Sequence, residues 1–138
     1  MMTDIDWESL ERAARDVRLR AHAPYSGYRV GAVVLCESGR VFAGCNVENA
    51  SYGLSICAER SAVLQMVAVG DREPVALVVV TEGPRIGTPC GACRQTLAEF
   101  ALDLPIRLCT DDGARRDTTL ERLLPDAFRP DVLAARGR

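Results

Sequence analysis

Cys57, Glu59, Cys90 and Cys93 are the residues of this chain whose types and spacing could do chemistry. Cys90 and Cys93 enclose two small residues in "PCGAC", and Cys57 stands two places ahead of Glu59 in "ICAERSAV". A Cys-x-x-Cys pair serves zinc, redox exchange or nothing at all. A thioredoxin-like redox pair would open the helix after the first strand of its fold. Here the pair comes late and encloses Gly-Ala, which disfavours redox. A structural zinc site needs four protein ligands, usually as two pairs. A second pair could be made only from Cys36 and Cys45, and both fall on strand-like segments, as does Cys109. These three read as small buried hydrophobes.

Cys57 and Cys90 both fall where a helix should begin. Two helix N-termini facing each other would bring three thiolates together, where the helix dipoles favour negative charge and lower thiol pKa values. Three ligands leave the fourth tetrahedral position open, the mark of a catalytic zinc. Glu59 could reach a water in that position without being a ligand. Read alone, "CAER" is equally a helix start with a solvated acid and base, and that alternative stays open on spacing.

The elements that must position these residues follow from periodicity. Trp7, Leu10, Ala14 and Val17 recur at helical spacing between about Asp6 and Arg20, with Asp4 or Asp6 as the cap. "HAPYSGY" breaks that helix. "RVGAVVLC" and "RVFAGCNV" flank the turn "ESG" and predict a hairpin. A helix from about Cys57 to Val69 should close at Gly70. "VALVVV" predicts a strand covered on both faces. A helix from Cys90 to about Phe100 and the strand "PIRLCT" come next. "DDG" is too short for a crossover, so "ARRDTT" should pair antiparallel with that strand. "LERLLPDAF" and "PDVLAARG" predict short terminal helices. The fold class is therefore α/β: a mixed five-stranded sheet between helical layers, three layers in all.

A length of 138 residues predicts one domain over 1–138, with 126–138 as a C-terminal helix and tail. The formal charge of −2 leaves no electrostatic footprint for nucleic acid. No apolar run approaches the length of a membrane span. "MMTDIDWESLERAARD" is charged and lacks the apolar core of a secretory signal, which predicts a cytoplasmic protein. In a reducing compartment the six cysteines are expected as thiols or thiolates.

The motifs "CAE" and "PCGAC" resemble those of the zinc-dependent nucleoside deaminases, whose pattern is His- or Cys-x-Glu followed by Pro-Cys-x-x-Cys. The resemblance is wider than the metal motif. "APYSGYRVGAVV", "GCNVENASYG", "ICAERSAV", "PCGACRQTL" and "LLPDAF" are similar, in order, to segments of the small cytidine deaminases, from about Ala23 to Phe128.

The resemblance implies one Zn²⁺ per subunit on Cys57, Cys90 and Cys93, with Glu59 carrying protons among water, the ring nitrogen N3 and the departing ammonia. The implied reaction is hydrolytic deamination of cytidine and deoxycytidine. Three thiolates make zinc a poorer Lewis acid, so Arg60 and Arg94, each close after a ligand, are candidates to draw charge from sulfur. Asn46 and Glu48 alternate on one face and match residues that hold the ribose. Tyr28 stands where the family often has Phe against the base. The backbone around Ala58 and Cys90 would read the cytosine edge, and Pro24, Tyr25 and Ser26 would form a loop wall. Small enzymes of this kind are homotetramers, so Phe128 is expected to reach a neighbouring subunit's site, with Tyr52 near a subunit boundary. His22 lies outside the matched core and reads as a surface residue.

Two other readings compete. A deaminase of a modified cytosine nucleoside such as blasticidin S would lack the "NVEN" pattern. A structural zinc module would have no use for Glu59. Deaminases of RNA or DNA usually have a His first ligand and a basic surface, unlike this chain.

Overall fold

The structure, a computed structural model, describes residues 4–134. The first helix, α1 (Trp7–Arg18), is amphipathic and starts at Asp6, whose carboxylate accepts from Ser9 N at 3.1 Å. It buries Leu10 and Ala14 in the core against the sheet, and Val17 is buried as well. The predicted hairpin is β1 (Gly31–Cys36) and β2 (Val41–Cys45), with Val33 opposite Ala43.

The "VALVVV" segment is β3 (Pro74–Thr81), the middle strand, and both its faces are covered. Leu77 and Val79 face one core, while Ala76, Val78 and Val80 face the other. This is the period-two alternation of a strand between two helical layers. β4 (Pro105–Thr110) runs parallel to β3, and β5 (Arg115–Thr119) pairs antiparallel with β4 after a short turn. The sheet order is β2-β1-β3-β4-β5.

Helices α2 (Ala58–Ala68) and α3 (Gly91–Ala98) cover the face opposite α1. The result is three layers, α/β/α. α2 lies very close to the hairpin, and Gly44 makes this possible. A Cβ there would stand 2.5 Å from Ala62 N and 2.6 Å from Ala58 O. With that approach the first turn of α2 is seated directly on β2.

Boundaries differ from the sequence reading in three places. Cys57 and Cys90 are the N-cap residues of α2 and α3, with extended backbone, so neither belongs to the helix proper. α3 stops at Ala98 rather than near Phe100, and a turn closes it. "LERLLPDAF" is helical only over α4 (Leu120–Leu123), because Leu124 precedes Pro125 and is pushed out of the helical region. α5 (Pro130–Ala134) follows, and the tail expected over 135–138 lies outside the described residues.

Candidate active site

The two N-caps meet. α2 connects the hairpin to β3, and α3 connects β3 to β4, so both helices lie on one face and begin at the same end of the sheet. Cys57 Sγ and Cys90 Sγ are 3.6 Å apart, and the Sγ atoms of Cys57, Cys90 and Cys93 all lie within 4.8 Å of one another. Tetrahedral coordination at about 2.3 Å places sulfurs about 3.8 Å apart. The donor set and its spacing therefore fit a single zinc ion. Cys93 is buried, Cys57 half-buried and Cys90 exposed, so the group opens to solvent on the Cys90 side. Of the remaining cysteines, Cys36 and Cys109 are buried in the cores, and Cys45 is half-buried on the edge strand.

The electrostatics of the trio are those of a cation site. The Cys57 thiol is lowered to about 5, first by hydrogen bonding from Cys93 and further by Cys90 and Arg60. The adjacent Cys57 sulfur and burial hold the Cys93 thiol far above its ordinary value. Thiols that bind a divalent cation do so as thiolates, so binding here would release protons.

Glu59 lies on the first turn of α2, is only 4 % exposed, and faces the same recess. Burial raises its carboxyl to about 7, and the nearby Cys57 charge adds to the effect. The recess, about 210 Å³, is lined by Tyr28, Val30, Asn46, Val79, Thr81 and Thr88. Cys57, Ala58, Glu59 and Cys90 complete its lining. A larger depression of about 600 Å³ runs between Leu102 and Val132 but holds none of the thiols. Size alone would have pointed to the wrong place.

Arg60 places Nη2 3.2 Å from Ser55 O and 4.0 Å from Cys57 Sγ. It is thus in place to draw charge from one sulfur. Arg94 corrects the sequence reading. Its side chain bonds Pro89 O, Leu123 O and Thr88 Oγ1, so it braces the loop before α3 to α4 and does not donate to a sulfur. The reason is its position on α3: one residue past Cys93, it projects sideways toward α4 while Cys93 points inward.

Asn46 spends its amide on the chain ahead of β1. Oδ1 accepts from Val30 N and Nδ2 donates to Tyr28 O, each at 2.8 Å. One N–H and one lone pair stay available on the recess wall. Glu48 lines an adjoining depression of about 340 Å³ with Tyr25, Ser26, Tyr52 and Ser55. Its carboxylate accepts from Tyr25 N, Ser26 N and Ser26 Oγ, and the Ser26 hydroxyl leads in holding its pKa low. Tyr52 is 74 % exposed and meets Tyr25 edge-on at 5.7 Å. Phe128 is 58 % exposed and lies outside the recess of its own chain. His22 is exposed, and its backbone pairs with the segment around Val47.

Sequence reasoning missed Thr81 and Thr88. Thr81 ends the apolar strand "VALVVVT", and a hydroxyl closing such a run on the side of the metal motif is the signal that could have found it. Buried at 4 % exposure, it donates to Cys109 O and accepts from Gly87 N.

Fold and site define a mononuclear metal hydrolase with a buried carboxyl beside three thiol ligands. The family described as the cytidine and deoxycytidylate deaminase zinc-binding region matches residues 5–106. The chain is 43 % identical to a cytidine deaminase of Sporosarcina psychrophila, covering 94 % of this chain and 96 % of the relative. It is 41 % identical to the cytidine deaminase of Mycobacterium tuberculosis H37Rv, covering 99 % of this chain and all of the relative. The crystal structure of the cytidine deaminase from Burkholderia pseudomallei superposes with a TM-score of 0.86 at 46 % identity, covering 90 % of this chain and all of the other. The chain belongs to the cytidine and deoxycytidylate deaminase family. It is a zinc-binding hydrolase of cyclic amidines.

Proposed function

We propose that this enzyme hydrolyses cytidine and deoxycytidine to uridine and deoxyuridine, releasing ammonia, as part of pyrimidine salvage. The observation that carries the reading is the Glu59 carboxyl, buried in the same recess as the Cys57 and Cys90 thiols. A zinc ion held by Cys57, Cys90 and Cys93 supplies the Lewis acidity that makes water a nucleophile at neutral pH. Glu59 takes a proton from the attacking water, delivers one to N3, and passes one to the 4-amino group as the C4–N4 bond breaks. One carboxyl can do all three because it alternates between base and acid. The C4–O bond formed and the C4–N bond broken balance water plus cytidine against uridine plus ammonia.

Burial suits Glu59 to this work, since a desolvated carboxyl holds and yields protons near neutrality. Tyr28 lies against the base, and the backbone at Ala58 and Cys90 reads its amidine edge. Asn46 offers its remaining amide valences, and Glu48 its carboxylate, to the ribose. Arg60 draws charge from Cys57, while Arg94 holds the Pro89 segment on which Cys90 depends.

The same reading takes residues 1–138 as one domain in a cytoplasmic homotetramer. Exposed apolar side chains support this: Leu64 on α2 is 58 % exposed, and Tyr52 and Leu54 are exposed as well. Large exposed apolar side chains of this kind suit a surface covered by a partner subunit. On this reading Phe128, exposed and outside its own recess, roofs a neighbour's.

The test is direct. Purified protein added to cytidine should remove the cytosine absorbance and release one ammonia per uridine, and Glu59→Gln should abolish both. A wild-type chain loaded with zinc that leaves cytidine unchanged would overturn the reading.

A further inference from the structure

Tyr28 walls the recess, and its hydroxyl end lies against Gly87, on the loop between β3 and α3. A Cβ on Gly87 would stand 2.6 Å from the Tyr28 hydroxyl, closer than such atoms approach. Backbone conformation does not account for a glycine here. The glycines with positive φ are Gly27, Gly39, Gly70 and Gly113, and Gly87 is not among them. An L-residue could adopt its φ, so the space filled by the phenol oxygen is what calls for glycine.

The other neighbour is held more firmly. Thr81 Cγ2 would lie 3.1 Å from that Cβ, and Thr81 is buried, with its hydroxyl bonded to Gly87 N at 3.2 Å and to Cys109 O at 3.4 Å. Loop and strand are tied together through this hydroxyl. The group free to yield is the side chain of Tyr28, a residue that is 41 % exposed. Displacing it would move the recess wall.

We infer that Gly87 is a positioning residue: it forms the notch that seats the Tyr28 hydroxyl and thereby sets where the ring lies against the base. The two positions are coupled by volume. A tyrosine at 28 requires glycine at 87, and removing the hydroxyl removes the requirement. The inference rests on the proposed reading of the recess as the nucleoside site.

Gly87→Ala, Tyr28→Phe and the double variant test it, with KM and kcat for cytidine, zinc content and thermal unfolding measured on each. Contacting residues couple strongly enough for Gly87→Ala to raise KM by about 5-fold. The rise in KM should exceed any fall in kcat, with zinc retained. The double variant should match the Tyr28→Phe parent in KM, whatever that parent's own cost. Gly87→Ala with unchanged KM would overturn the inference. So would a double variant that keeps the full alanine penalty over its parent, since the added methyl would then act through Thr81 or the loop. Thermal unfolding gives the same comparison without substrate: alanine should lower Tm in the wild-type background and not beside Tyr28→Phe. Were the wild type inactive on cytidine, the functional reading would fall, and this unfolding cycle would still decide the pairing, with additive shifts refuting it.

Discussion

The Sγ atoms of Cys57 and Cys90, 33 residues apart in the chain, stand 3.6 Å from each other at the starts of two helices. Together with Cys93 they should hold about one zinc per chain. Cys57→Ala, Cys90→Ala and Cys93→Ala should each lose most of the metal and the activity with it. Cys36→Ser and Cys45→Ser should keep both, because neither thiol belongs to the cluster. Metal analysis of the five purified variants checks this, and zinc loss from Cys36→Ser or Cys45→Ser would count against an open three-ligand site.

Glu59→Gln keeps the shape of the side chain and removes its capacity to take a proton. Turnover of cytidine should fall by at least the 10²–10⁴-fold typical of a lost general base. Zinc content should be retained. Steady-state kinetics beside metal analysis separates this outcome from loss of the site.

Arg60→Ala removes the guanidinium 4.0 Å from Cys57 Sγ. Groups that support a metal ligand in this way are worth about 10–100-fold in affinity or activity. The variant should lose activity on that scale, and a zinc competition assay should show weaker retention. A variant equal to the wild type in both would leave Arg60 with only its bond to Ser55 O.

Glu11 is a measure of pH-dependent stability. Its carboxylate accepts from Arg115 Nε at 2.9 Å, Arg115 Nη2 at 3.0 Å and Arg15 Nη2 at 3.2 Å. Arg115 is the chief cause of its lowered pKa. A lowered folded pKa contributes stability that is present above the unfolded value and lost as pH falls through the folded one. The wild type should therefore lose Tm below about pH 4.5, the unfolded carboxylate range, and Glu11→Gln should flatten that slope and lower Tm at neutral pH. Thermal melts across an acid series read both effects.

Phe128 and Glu59 should complement between chains. A Glu59→Gln chain lacks the proton carrier, and a Phe128→Ala chain lacks the roof it lends. Hybrids formed by co-refolding should exceed the activity of the Phe128→Ala parent, because an intact Glu59 can then sit under a partner's Phe128. Verified mixing without recovery would mean that each site is built from one chain.

Particular residues show how far the sequence could be read. A cap at Asp4 or Asp6 was legible because a short carboxylate ahead of an apolar-periodic run has one useful partner, the free N–H of the first turn, and folding gave that partner to Asp6. "VALVVV" was legible because a run without polar breaks fits only a strand covered on both faces. Arg94 was misread because its distance from Cys93 in sequence says nothing about direction. Its donors find Leu123 O, a partner brought close only by folding.

The sequence by itself determined the ligand types, the acid beside them, the strand and helix order, and hence the layered α/β class, since these rest on local pattern and short spacing. Tertiary structure decided what those residues meet. It set two N-caps at one end of one sheet face, brought α2 onto β2 across Gly44, and turned Asn46 to the backbone of Tyr28 and Val30. It also placed the Tyr28 hydroxyl over Gly87. These contacts join segments that periodicity treats separately, and their distances follow from the crossovers and close packing of the whole sheet, which no local window of sequence contains.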